Sequence, residues 1–497
     1  MFTQKWRDKW GLREDPFTCE DADKDCILST LDPSVAHWAF DRIFGNPRVP
    51  APAIIFGEKG SGKSALRLIT SKHLERFNAD HPNDRVFVVE YTEYNSYMEN
   101  FRRFIGKRAD STAAAQEVVK RWKVSDHLDC ILSLGITRLV DDVLINEESI
   151  KNLTHKQKVY LLLMASLYYN SDRRTTPEAL NHLNRLLKVQ TYSSTIHWII
   201  ALLGTIVSIL LFLVPIFTET PPISENFWHI LGIVGLVLTW GWFGIYHLML
   251  GSSANRANRA VKVLNTNPSN LKNQLKALSA KERREYTLPI GSDENSRYHL
   301  LSEFIGILHS SGFKGLYVLV DRIDEPSLLS AREELMRRFI EKLLDIKLLQ
   351  YPNLGLKLFL PIEIDELHRN APPEDLKRMR LDKSNLIPEL KWSGQELYEI
   401  ANQRLYASLE VDSRAHNLKD FFDDSVEISY LKDTLGELGT PRYAFGFLSS
   451  LFTEHVKSLP NDLPPEDPDW KIPRLRFDVV RSEWLNKAGV LRRVLNK

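Results

Sequence analysis

AIIFGEKGSGKS, from Ala53 to Ser64, is a short apolar run followed by a glycine-rich turn that closes on a lysine and a serine. The apolar part, Ala53 to Phe56, predicts a buried strand. Gly57, Glu58, Lys59, Gly60, Ser61, Gly62, Lys63 and Ser64 fit G-x-x-x-x-G-K-[ST] in full. The residues from Ser64 onward (SALRLITSKHLERF) predict an amphipathic helix with Leu66, Ile69 and Leu74 near one side. Strand, turn and helix in this order are the context of a phosphate loop. Glycines let the backbone fold tightly around phosphate oxygens, and successive N–H groups and the helix N-terminus supply fixed positive partial charge. On this reading Gly57 to Ala65 bind a nucleotide, expected to be ATP. Lys63 reaches its β- and γ-phosphates, and Ser64 is a ligand of Mg2+.

A phosphate loop needs a second strand that ends in a carboxylate on the magnesium side. GLYVLVD, Gly315 to Asp321, supplies one: a continuous apolar run of the kind buried on both faces of a sheet. Asp321 is the expected metal-side acid. Asp324 and Glu325 follow and are the candidates to polarise an attacking water. Arg85 to Tyr91 and Leu356 to Ile364 read as two further strands, and Glu363 near the end of the latter is a weaker candidate to sense the γ-phosphate. Strands alternating with helices predict an α/β fold with a parallel, doubly wound sheet and a ligand beyond its C-terminal edge.

The loop and the acid strand lie about 250 residues apart, far more than an ordinary connection. Two apolar runs stand in the gap, Ile196 to Phe217 and Phe227 to Leu250, and neither contains Asp, Glu, Lys or Arg. Each is long enough for a helix to cross about 30 Å of hydrocarbon. The short polar linker between them carries Glu219 and Glu225, while Arg185, Lys188, Arg256, Arg259 and Lys262 flank the pair. The positive-inside rule then expects a two-pass hairpin in the inner (plasma) membrane with both termini and both long soluble segments in the cytoplasm. Ala201, Gly204 and Ser208 share one helix face, and Gly232, Gly235 and Thr239 another. Such faces pack closely, within the hairpin or between copies.

The remaining features narrow the choice. Net charge is +1 over 497 residues, so no global attraction to nucleic acid exists. Apolar residues at 43% and charged residues at 26% exclude wholesale disorder. Cys19, Cys26 and Cys130 match no disulfide framework or zinc pattern and read as reduced thiols. The charged N-terminus shows no secretory h-region. Leu386 to Leu409 reads as a mainly core-facing helical segment. Gly439-Thr440-Pro441-Arg442 opens another helix, and Arg442 is placed to reach a γ-phosphate. A proline-rich acidic linker, Pro460 to Asp469, precedes a basic C-terminal stretch.

With the loop, the interrupting hairpin and the acid strand in this order, the chain resembles the KAP family of P-loop NTPases. That resemblance covers about Phe17 to His455, and Gly439 to Arg442 is similar to the sensor-2 element of AAA+ and STAND ATPases. It implies a helical lid and a membrane-anchored ATPase that acts as a signalling or defence switch, some members excluding phage. It departs from the family at Arg322, where a second acid is expected after Asp321. The expected organisation is residues 1–98 as the first half of the ATPase core and 99–192 as a helical insertion. The hairpin is 193–250 and a helical return 251–290. The second half of the core is 291–385, the lid 386–458, and the linker with the C-terminal segment 459–497. Lys63, Asp324, Glu325 and Arg442 are the expected catalytic residues, and Arg378 or Arg380 could complete a neighbour's site. Partners are a lipid bilayer and either a second copy or another protein. A membrane-tethered nucleic-acid-handling ATPase and a nucleotide-binding scaffold with little turnover are the alternatives. A transport ATPase is disfavoured, since no LSGGQ-like signature is present.

Overall fold

The computed structural model describes residues 4–18, 21–25, 27–28, 37–107, 111–189, 192–217, 224–330, 332–364, 385–410, 415–460, 463–464 and 467–495. The chain divides into two compact units. One comprises Met1–Pro82, Leu319–Glu325 and Leu349–Lys497; the other comprises Asn83–Val318 and Pro326–Leu348. Arg378, Arg380, Cys19 and Cys26 lie outside the described residues, whereas Cys130 is a buried free thiol.

Five parallel strands form one sheet: β1 (Ala53–Gly57), β2 (Arg85–Tyr91), β3 (Phe313–Val320), β4 (Leu354–Pro361) and β5 (Asn385–Ile387). Their order is β2-β3-β4-β1-β5. β1 pairs in parallel with β4, Ile54 opposite Leu358 and Phe56 opposite Leu360, and with β5, Ile55 opposite Ile387. Every residue of β1 and β4 is buried, which is why β1 reads as an unbroken apolar run and β4 as one interrupted only by Lys357. Strand ends differ from expectation by a residue or two at several places, and two differences are larger. β4 ends at Pro361, and Ile362 to Ile364, read as strand, form a helical turn. Residues 385–387, at the junction read as the start of a helical lid, are instead the edge strand β5, and the helix begins only at Gly394.

In the first unit, the helices Gly394–Ser408, Ile428–Leu438, Pro441–Ser458 and Arg474–Leu495 share a core with the N-terminal helix Gln4–Trp10. Trp6, fully buried, contacts Phe421, Phe452 and Trp470. The last helix is part of this bundle, because Phe477 and Val480 are buried in it. Gly446 lies under Trp484 so closely that an added Cβ would be 2.3 Å from the indole. Gly446→Ala should therefore destabilise this bundle by about 1–3 kcal/mol through overpacking. In a free helix the same change gains up to about 1 kcal/mol. A denaturation midpoint that rises in the variant would contradict the packing described.

The second unit is mainly helical. Its central helix, Val124–Ile145, packs with His155–Tyr168 and Glu294–Ser310. Asp129 and Arg297, both fully buried, form an ion pair at 3.2 Å, and Tyr168 donates to Asp129 at 2.8 Å. The two apolar segments are helices Tyr192–Phe217 and Glu225–Ala260. Both are long and apolar enough to cross a membrane, and only 11% of each apolar window is buried. They are therefore not core helices of this unit. The small-residue faces pack on each other within the hairpin: a Cβ on Gly204 would meet Thr239 at 2.7 Å, and one on Gly235 would meet Ser208 at 2.5 Å. The second helix does not stop near Leu250, where a separate return segment is expected. It continues unbroken to Ala260, burying Ala254, Ala257 and Ala260.

Candidate functional site

The glycine-rich loop lies where β1 ends. Gly60 and Gly62 adopt φ of +88° and +92°, a left-handed backbone that glycine enters without strain. The following helix, Lys63–Asp80, has Gly62 as its N-cap, no side-chain cap and no acid in its first turn. Its leading N–H groups have no intrahelical acceptor and no capping side chain, which suits an anion. The Lys63 ammonium donates to the carbonyls of Gly57 and Glu58 at 2.7 and 2.9 Å, so it rests on the loop itself. Burial lowers the Lys63 pKa, while the charges of Asp324, Asp321 and Glu363 act to raise it and Arg442 acts to lower it.

Segments distant in the chain hold the loop in shape. Trp392 Nε1 donates to the Ser61 carbonyl at 2.7 Å, and Leu390 N donates to Phe56 O at 2.8 Å. Gly439 caps the helix Ile428–Leu438 at φ +75°. Thr440 then caps the next helix through Tyr443 N, with Pro441 in its first turn. This tight corner sets Arg442 on the loop: its N–H donates to Gly60 O at 3.3 Å, and a Cβ on Gly60 would lie 2.7 Å from Arg442 Cβ.

The acid side is built from β3. Asp321, just past its end, is 2% exposed. Its carboxylate accepts a hydrogen bond from Ser64 and lies 3.3 Å from Arg67 Nε. Burial pushes the Asp321 pKa up; the Ser64 hydrogen bond and the Arg67 charge pull it back. Loop and acid strand thus meet at one point, Ser64 against Asp321. Two protein oxygens are what Mg2+ commonly takes when phosphates and water complete its shell. Among the described residues no group of three or more His, Cys, Asp or Glu forms a self-contained metal cage.

No family model, curated protein or solved structure matches the chain.

The other expected residues fall into place unevenly. Asp324 is exposed and its charge acts on Lys63. Glu325 is exposed and drawn to Arg322 at 3.7 Å. Glu363, half-buried in the turn after β4, also acts on Lys63. Lys59 is exposed, and Ala65 is half-buried against the core cluster that includes Ile55, Leu66 and Leu390. Sequence reading missed an acidic strap, Asp21 to Asp25. Asp21 and Asp23 pair with Arg322 at 2.8 and 2.5 Å, Asp23 also pairs with Arg67, and Asp25 pairs with Arg404 at 2.6 Å. The alternating acids of DADKD were its only signal. Arg322 itself adopts φ +61°, a left-handed conformation that costs a non-glycine residue about 1–3 kcal/mol. A cavity of about 500 Å³ lined by Tyr398, Asn402 and Tyr406 involves none of these groups.

Proposed function

We propose that the chain is a membrane-anchored, cytoplasmic P-loop ATPase of KAP-like layout, working as a nucleotide-dependent signalling or defence switch. The observation that carries this reading is the convergence of Lys63 and Ser64 with Asp321, residues separated by about 250 positions, at the ends of two parallel strands. The residues fit Mg2+ and ATP. The uncapped helix start and the Lys63 ammonium would hold the β- and γ-phosphates, and Ser64 and Asp321 would hold the metal. Bound Mg2+ supplies charge neutralisation on the phosphate oxygens. With a nucleotide bound, Lys63 would exchange its two loop carbonyls for phosphate oxygens, acceptors that bind an ammonium more strongly. Asp324 is the better candidate to orient water, because Glu325 is engaged by Arg322. Arg442, fixed to Gly60 through its backbone, brings its guanidinium to the loop side, where it can report a bound nucleotide to the lid.

The hairpin serves as the bilayer anchor. Its apolar surface is outward, and the basic flanks support a reading in which the soluble segments face the cytoplasm from the inner membrane. Action against phage rests on analogy with KAP proteins alone. Arg322 supports a second reading, a nucleotide-binding scaffold with little turnover, since it stands where a second acid is expected. The nucleic-acid alternative gains nothing from the C-terminal helix. Arg481 pairs with Glu437 and Arg474 with Asp478, both beside Tyr430.

Equilibrium binding of Mg-ATP and its turnover, measured on the detergent-solubilised full chain, test this. Lys63→Ala should weaken binding at least tenfold, the equivalent of about 1.4 kcal/mol. Unchanged binding in that variant would falsify the nucleotide site. Tight binding without turnover in the parent protein would select the second, low-turnover reading.

A further inference from the structure

The carboxylate of Asp23 lies between two guanidinium groups. One belongs to Arg67 on the loop helix; the other belongs to Arg322, whose Nη2 is 2.5 Å from Asp23 Oδ2. Arg67 is only 1% exposed, and its Nε faces Asp321 at 3.3 Å. The ion pairs therefore run without a gap from Asp321 through Arg67 and Asp23 to Arg322 and Asp21. Two arginines converging on one anion, beside a metal-side acid, is the arrangement that recognises phosphate oxygens, because the planar fork offers paired N–H donors. Arg322 is held there in a left-handed backbone that a side chain of its size adopts only under constraint.

Resting on the nucleotide-site reading above, we infer that Arg67 and Arg322 form a second phosphate-oxygen site, whose place the Asp23 carboxylate takes here. Asp23 is an internal occupant. It neutralises a buried guanidinium, a charge that is costly to hold away from water without counter-ions. A tethered carboxylate competes at an effective concentration on the order of millimolar. Free phosphate therefore displaces it weakly, and a nucleotide anchored at the loop displaces it readily. Asp25, through its bond to Arg404 on the helix Gly394–Ser408, ties the same strap to the helical bundle, so displacement is felt there. The phosphate group comes either from the end of a bound nucleoside triphosphate or from phosphate released by hydrolysis.

The test uses the full chain in detergent with three probes: inorganic phosphate, Mg-ATP and Mg-ADP. Asp23→Asn keeps the shape and removes the competing charge. It should tighten inorganic phosphate binding about tenfold, and Arg322→Gln in the same background should abolish that gain. If Asp23→Asn also tightens Mg-ATP but not Mg-ADP, the site takes the terminal phosphate of the nucleotide. If phosphate binds more tightly only with Mg-ADP present, it takes the released product. Should Asp23→Asn lower the unfolding midpoint, added phosphate should restore it by mass action. Asp21→Asn, at the acid that pairs with Arg322 at 2.8 Å, gives a second variant with the same expected direction. Phosphate and Mg-ATP affinities that stay at the parent value in both variants overturn the inference. Lys63→Ala separates the two claims. If it abolishes ATP binding while Asp23→Asn changes nothing, the nucleotide site stands and the cradle falls. If the parent chain binds no nucleotide but Asp23→Asn gains phosphate binding, the cradle stands without the nucleotide reading.

Discussion

On the proposed ATPase reading, Asp321→Asn should lower ATP turnover about 10²–10³-fold, the order of magnitude measured when an enzyme loses one preorganised electrostatic group. Binding of ATP without metal should stay within about threefold of the parent, since Lys63 and the loop are untouched. The contrast is specific to the role. Asparagine keeps the size of the side chain and can still accept from Ser64, but it removes the charge opposite a divalent cation. Arg67 keeps Asp23 as a counter-ion, so this substitution does not strand a buried guanidinium. An unfolding midpoint within a few degrees of the parent should confirm that the fold survives. Turnover that falls only two- or threefold would sink the assignment of Asp321 to the metal side and return attention to Glu363.

The second large effect is expected far from the loop. Arg297→Met should destabilise the helical unit by about 3–5 kcal/mol, because it leaves Asp129 buried without its cation. Burial already pushes the Asp129 carboxyl up to about 6, against the pull of Arg297. Without Arg297 that pKa rises further, whereas in the unfolded chain it stays in the ordinary carboxylate range. The folded variant then binds a proton that the unfolded chain does not. Its deficit against the parent is largest at pH 8 and shrinks as the pH falls through the raised pKa toward 5. Thermal unfolding at pH 8 and pH 5 measures this. A deficit of equal size at both values would mean that the cost comes from packing and not from the stranded carboxylate.

Much of the sheet was legible because its strands carry the signal that burial on both faces imposes. Arg85 to Tyr91 matches β2 residue for residue, and the loop, acid strand and loop helix stand within a few positions of expectation. β5 was illegible: three residues in front of a helix carry no period. The end of the second apolar helix was misplaced because hydropathy falls at Gly251, but the backbone ladder needs no apolar side chains to continue. The pairing of Lys63, Ser64 and Asp321 follows from motif and strand alone. Arg67, Trp392 and the strap do not. Arg67 looks like any polar residue on an amphipathic helix, and Trp392 like any core aromatic. Trp6 and Trp10 find their partners in a bundle formed by the last hundred residues, a contact that no local pattern announces.

The helix Glu225–Ala260 has 36 residues, hence roughly 54 Å of length against about 30 Å of hydrocarbon. With the hairpin in a bilayer, some of that rod stands clear of the lipid, with no proline or hinge to absorb bending. Its last carbonyl, that of Ala260, accepts from Arg297 at 2.7 Å, and Arg297 sits on the helix that runs directly into β3. Such a rod transmits angle. A change in tilt of about 10° moves the free end of a 54 Å lever by roughly 9 Å, and bilayer thickness is one of the quantities that sets tilt. Within the helical unit, the end of this rod is thus tied through one guanidinium to the helix that leads into β3.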